Sequence, residues 1–253
     1  MRTTAVVFPF DQFGGAGTGA GAQLLGDTIR EILDDAAEEA RPCRSHCLLD
    51  KVEVRETPFA TMEQVREWRT TGRHLATKLL RQGDFVLWLG GNHLSVLPVL
   101  EELGSETLVV QFDAHLDVYS FHDTTAELSH GNYLRHFAAQ RPRIVNVGHR
   151  DQFLVRDEIV ETFDRCFSAI EVAANVDRVA DELRALAAAA GRVWIDFDAD
   201  ALDPAAMPAV QQPLPFGLTG PIFLKLFEAN PRARPARSIA CCLGKSLPAT
   251  NRH

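Results

Sequence analysis

Five short runs rich in Val, Ile, Leu, Phe and Trp punctuate this chain, and they leave little choice of fold. They are Thr4–Phe8, Phe85–Leu89, Thr107–Phe112, Arg143–Val147 and Arg192–Phe197. The runs are nearly continuous rather than alternating, which is the pattern of strands buried on both faces of a parallel sheet. Helical patterns lie between them. Thr61–Gln82 opens with a capping box (Thr61, Gln64), keeps Val65, Trp68, Leu75 and Leu79 at helical spacing, and stops before Gly83. Asn175–Ala190 places Val176, Val179, Leu183 and Leu186 on one stripe and stops at Gly191. Shorter helices are predicted near Leu94–Leu103 and Leu218–Glu228. The alternation predicts an α/β chain, a three-layer α/β/α sandwich with a mainly parallel sheet. With no internal repeat or linker, residues 1–253 read as a single domain.

Composition narrows the function classes. Lys plus Arg is 26 against 34 for Asp plus Glu, a formal charge of −8, which argues against a nucleic-acid or anionic-membrane binder. A chain of 253 residues buries about three quarters of its unfolded surface and needs no staples. No apolar run approaches the ~18 residues of a membrane span, and the apolar stretch Ala5–Phe10 is too short for a signal peptide. Five cysteines, two of them adjacent (Cys241 and Cys242), fit a reduced cytoplasmic protein.

In open α/β sheets, sites form beyond the carboxyl ends of the strands. Three polar groups stand there. Asp113-Ala-His115-Leu-Asp117 follows the third run, Asp196-Phe-Asp198-Ala-Asp200 ends the fifth, and Gly90-Gly91-Asn92-His93 follows the second. If the chain stays extended, alternate residues point the same way and the carboxylates converge. Clustered carboxylates at the edge of an apolar core need neutralising. No Lys or Arg lies within Phe112–Phe121 or Val193–Asp203, so divalent cations are the simplest partners. Oxygen ligands with some imidazole suit Mn²⁺, with Fe²⁺ or Zn²⁺ compatible, and such a centre would deprotonate a water into a nucleophile. The competing reading takes these aspartates as turn formers and helix caps; three such groups after three separate strands weigh against it.

These motifs resemble the ureohydrolase family of arginases, agmatinases, guanidinobutyrases and formimidoylglutamases. That family carries a Gly-Gly-Asp-His turn, an Asp-Ala-His-x-Asp motif and a Ser-x-Asp-x-Asp-x-x-Asp-Pro motif; Asp203-Pro204 completes the last one here. Phe10-Asp11, the run Gly14–Gly21 and Pro213–Thr219 extend the likeness over about residues 5 to 228. The resemblance implies an arginase/deacetylase-like fold and two Mn²⁺ ions. By motif position His93, Asp113, Asp117 and Asp198 hold one ion, and Asp113, His115, Asp198 and Asp200 the other. It implies hydrolysis of a small guanidino or related amidine compound to urea and an amine. His130, in Ser129-His-Gly-Asn132, is implied as the proton shuttle to the leaving amine, against a bland reading as a helix-start residue; His130 and Asp117 are the implied catalytic pair. Asp117-Val-Tyr119 with His130-Gly131 is closer to agmatinases than to arginases. The partner implied is a small molecule, and family habit leaves a homo-oligomer open.

The chain departs from the pattern at named positions. Asn92 stands where the family has Asp, and Asp196 where it has Ser, either touching the site's ligands or pointing aside. The family's glutamate after its last core strand finds only Lys245 as a neighbour by eye, and no acid follows Glu228. These departures motivate an alternative, a metal-binding but catalytically silent relative. A nucleotide binder built on Gly14–Gly21 is a weaker alternative, because Gly17-x-Gly19-x-x-Ala22 misses the fingerprint. Cys43, His46 and Cys47 lack a fourth ligand for a zinc site. His122 and Gly148–Asp151 lie near the expected site without assigned roles.

Overall fold

The structure, a computed structural model, describes residues 2–14, 17–122, 125–137, 141–154, 156–210 and 212–229, and the backbone of 237–242. Eight strands form one wholly parallel sheet: β1 (Thr3–Phe8), β2 (Val52–Glu56), β3 (Phe85–Gly90), β4 (Thr107–Phe112), β5 (Arg143–His149), β6 (Arg165–Ser168), β7 (Arg192–Asp198) and β8 (Arg237–Cys242). Their order across the sheet is β2-β1-β3-β8-β7-β4-β5-β6. The five apolar runs are five of the six inner strands. The strands not anticipated are β2 and β6, short edge strands carrying charged residues, and β8. Edge strands are solvated on one side and lose the continuous apolar signature.

Helices cover both faces. The helices are α1 (Gly19–Glu38), α2 (Met62–Arg66), α3 (Trp68–Gln82), α4 (Leu97–Leu100), α5 (Arg156–Thr162), α6 (Ala169–Ala174), α7 (Val176–Ala189) and α8 (Gly220–Ala229). On one face Val6, Phe8, Trp88 and Val109 pack against Trp68, Ala76 and Leu79 of α3 and against Leu97 and Leu100. On the other, Leu108, Val110 and Phe112 pack against Val179 and Leu183 of α7 and Leu226 of α8, and Val7 packs against Ala22 of α1. This is the expected three-layer sandwich.

The helix expected over Thr61–Gln82 is two helices. The capping box forms: Thr61 Oγ1 accepts from Gln64 N, and Gln64 Oε1 accepts from Thr61 N. The chain then kinks at Glu67, with φ −89° and ψ 4°, which turns Trp68 onto Phe10 with ring centroids 4.4 Å apart. Gly83 ends α3 at φ +72°, a left-handed cap that a side chain would strain. Leu94–Leu103 is a 3₁₀ turn (His93–Val96) followed by the single turn α4.

Candidate metal centre

The site lies beyond the carboxyl ends of β3, β4 and β7. β3 runs into Gly91, where an added Cβ would lie 2.2 Å from Phe10 O; only glycine lets the two strand ends approach this closely. The 3₁₀ turn that follows swings the buried His93 inward. After β4 the chain does not stay extended. His115 N donates to Asp113 Oδ1 at 2.7 Å, and Asp117 sits at φ +49°, a left-handed conformation uncommon outside glycine. After β7, Asp200 N donates to Asp198 Oδ1 at 3.0 Å and closes a 3₁₀ turn. The carboxylates therefore converge through Asx-type turns, not through strand alternation. Ala114 N donates to Asp200 Oδ1 at 3.1 Å and ties the two turns together.

The structure brings His93, Asp113, His115, Asp117, Asp198 and Asp200 to one place. His93 Nδ1 is 3.0 Å from Asp113 Oδ2, 2.9 Å from Asp117 Oδ2 and 3.7 Å from Asp198 Oδ2. His115 Nδ1 is 3.0 Å from Asp200 Oδ2 and 3.8 Å from Asp113 Oδ1. Two sets thus have ligand atoms close enough to share an ion, His93–Asp113–Asp198 and Asp113–His115–Asp200, with Asp113 in both.

Packing these acids together disturbs their ionisation. Burial, and then the charges of Asp117 and Asp200, push Asp113 up to about 7, and burial beside Asp200 and Asp113 drives Asp198 well above the carboxylate range. Burial opposes a charge on His115, but its hydrogen bond to Asp200 and the charges of Asp200, Asp113 and Asp117 together outweigh this and hold the imidazole up to about 10. Burial opposes a charge on His93 too, yet Tyr133, Asp196 and Asp113 together raise it. His93 Nδ1 and Asp113 Oδ2 are buried and, although adjacent, make no aligned hydrogen bond. Facing, unsatisfied nitrogen and oxygen donors in an acid-rich pocket fit a divalent cation.

Other residues hold the site from outside. Asp196 does not point aside: it is fully buried, and its Oδ2 lies 2.8 Å from His93 Nε2. Asn92 donates from Nδ2 to Gln12 O at 2.9 Å. Arg150 is the basic group that local counting missed, because it arrives from β5. Its guanidinium donates to Gly148 O, Ala201 O, Asp200 O and Leu214 O at 2.6–3.2 Å, strapping the turn after β7 to the loop before α8.

A cavity of about 470 Å³ opens over the cluster, with His130 in its wall. His130 N donates to Phe13 O at 3.3 Å, and its Nδ1 is buried without a hydrogen-bond partner. No helix starts at Ser129; Ser129 N donates to Asn132 Oδ1 at 2.8 Å, and a short 3₁₀ turn follows. The described part of the glycine run folds on Asp11, whose Oδ2 accepts from Gly17 N and Gly19 N, so the start of α1 is served by its own chain. Cys43 and His46 pair with each other on the surface, Sγ to Nδ1 2.9 Å. Lys245 and the rest of 243–253 lie outside the described residues.

Known proteins share this fold and part of this sequence. The agmatinase of Serratia proteamaculans is 35% identical over 158 residues, which is 60% of this chain and 49% of that protein. The agmatinase of Sodalis glossinidius is 32% identical over the same shares. The chain thus spans about half the length of the curated relatives it matches. Among solved structures, the arginase of Bacillus subtilis superposes with TM-score 0.75 at 18% identity, covering 100% of this chain and 93% of that one. The agmatine ureohydrolase of Thermoplasma volcanium gives 0.68 at 21%, covering 95% and 80%. No described helix is long and apolar enough to cross a membrane. The family model of the arginases matches residues 3–235, nearly the whole described chain, and the chain therefore belongs to the arginase family.

Proposed function

We propose that this protein hydrolyses the guanidinium carbon of a small guanidino compound, releasing urea and an amine. The observation that carries the reading is the pair of overlapping His/Asp sets sharing Asp113 at three strand ends of an arginase-family chain. His93, Asp113, Asp117 and Asp198 would hold one divalent cation, and Asp113, His115, Asp198 and Asp200 a second. Manganese is the first choice for this oxygen-rich donor set. Bound there, the ions supply Lewis acidity and an activated water.

The chain's own groups do the rest. Asp117 accepts hydrogen bonds from the attacked group. His130 carries a proton to the departing nitrogen from its place in the cavity wall. Beyond the acids, the described walls include Phe13, Tyr119, Thr125, Ser129, Asn132 and Gln212. The Asp117–Tyr119 and His130–Gly131 segments and the agmatinase relatives favour agmatine-like substrates over arginine. Free Cys43, Cys47 and Cys166 suit a reducing cytoplasm.

The test is urea release by manganese-loaded protein over guanidino compounds with ammonium, zwitterionic and neutral tails. Turnover should fall roughly 10²-fold or more in His130→Ala. Two bound ions with no urea from any compound would refute hydrolysis and leave a silent cation-binding relative, a role that the family-atypical Asn92 also suits.

A further inference from the structure

Three polar side chains are buried within the apolar middle stretches of neighbouring strands. Gln111 interrupts β4, Asn146 interrupts β5 and Asp196 interrupts β7, and none is more than 1% exposed. Gln111 is in register with Asn146 on one side and with Asp196 on the other. They form a single polar row across three adjacent strands, one pleat below Asp113 and Asp198. Buried polar groups cost free energy unless bonded, and leucine or valine would fill these places without that cost.

The row is bonded through Asn146 Nδ2, both amide atoms of Gln111 and Asp196 Oδ2, with only Asn146 Oδ1 and Asp196 Oδ1 left without partners among the described residues, and it leads from the His93 imidazole to the main chain at His115. Asn146 Nδ2 donates to His115 O at 3.2 Å and to Gln111 Oε1 at 3.2 Å. Gln111 Nε2 donates to Tyr133 Oη at 3.1 Å. Tyr133 Oη lies 3.2 Å from His93 Nε2, which is also 2.8 Å from Asp196 Oδ2. Tyr133 is fully buried, with its ring tilted against His93 at a centroid distance of 5.1 Å. The hydrolytic scheme above uses none of Gln111, Tyr133 or Asn146.

We infer that Asn146, Gln111 and Tyr133 are positioning residues which, with Asp196, form a rigid polar layer beneath the cation site. The layer holds the far side of the His93 ring so that Nδ1 faces the carboxylates, and it fixes the main chain from which His115 projects. Outer partners of this kind set the orientation and donor strength of a metal-binding histidine. The inference rests on the two-cation reading.

The experiment titrates metal-free protein with Mn²⁺ and follows free Mn²⁺ by electron paramagnetic resonance. Wild type, Tyr133→Phe, Gln111→Leu and the double variant are compared, and thermal unfolding of each metal-free protein is recorded. Tyr133→Phe removes one oxygen and leaves the packing, so it carries the test even if Gln111→Leu folds poorly. The expected result is two ions in wild type and about a 10-fold loss of affinity at one of them in Tyr133→Phe, since losing such a partner typically costs 10–100-fold. The double variant should be little worse than the more damaged single, because both break one chain of hydrogen bonds. Lower unfolding temperatures with unchanged Mn²⁺ affinity would overturn the inference and make the row a packing feature. A wild type that takes up no Mn²⁺ would overturn the two-cation reading, and the inference with it.

Discussion

Removing the cation from this site should make the protein's stability fall with rising pH between 7 and 9. His115 is held up to about 10 in the folded, metal-free protein, against ~6.5 in the unfolded chain. A raised folded value means that the stabilisation is complete below the unfolded value and is lost as pH climbs through the folded one. Between pH 7 and 9 the folded state keeps this proton and the unfolded state has released it. From His115 alone the linkage slope is then about 1.4 kcal/mol per pH unit, or roughly 2–3 kcal/mol over the interval, and His93 and Asp198, which also hold protons more tightly when folded, can only steepen it. Asp113, half-titrated near 7, adds to the fall at the acid end. The histidines that burial pushes down, His136 and His149, are neutral in both states over this range and do not interfere. For a chain of this size the unfolding temperature should drop by roughly 4–10 °C. Calorimetry after exhaustive chelation measures it, with His115→Asn as the control that makes the slope shallower by that one proton. With Mn²⁺ bound, His115 must be neutral, so the fall should vanish and affinity should strengthen with pH. A metal-free unfolding temperature that is flat or rises from pH 7 to 9 would refute the charge assignment.

Two further expectations follow from close contacts. A Cβ on Gly14 would stand 1.8 Å from His130 Nδ1, so Gly14→Ala should push the ring out of the cavity wall. It should lower kcat by roughly 10²-fold with little change in unfolding temperature, and unchanged kcat would count against His130 as the proton carrier. Asn92→Asp restores the family's usual residue but sets a buried carboxylate against Gln12 O in place of the present 2.9 Å hydrogen bond. Metal-free Asn92→Asp should lose about 1–3 kcal/mol in denaturant unfolding, and a gain would show that Asn92 is not held as described.

The sheet and the acid cluster were legible because their signals are local. Buried parallel strands read as continuous apolar runs, and carboxylates placed directly after them have few other uses. What was not legible is contact made across strands. Asp196 has the spacing of a third converging acid, yet it lies under His93, because β7 ends two residues later and the chain then turns. Arg150 is remote from both acidic motifs in sequence and reaches them only through the sheet order. The clue to the polar row was present in Val-Val-Gln-Phe and Ile-Val-Asn-Val, where one amide interrupts each apolar run, but pairing Gln111 with Asn146 needs the register. β2 and β6 were missed because edge strands look like loops, and the break at Glu67 because the helical spacing continues through it.

The sheet order has a consequence for how the molecule is assembled. β8, the last described strand, pairs with β3 on one side and β7 on the other. Until it inserts, β2-β1-β3 and β7-β4-β5-β6 are two separate half-sheets, each with an open inner edge. His93 belongs to the first half, whereas Asp113, His115, Asp117, Asp198 and Asp200 belong to the second. The site is therefore built across a seam that the last described strand closes. Folding must wait for a long-range pairing of late residues with early ones, which makes it slow and leaves both inner edges open to mispairing meanwhile. An ion shared by His93 and Asp113 would clasp the two halves at the same seam and resist their parting.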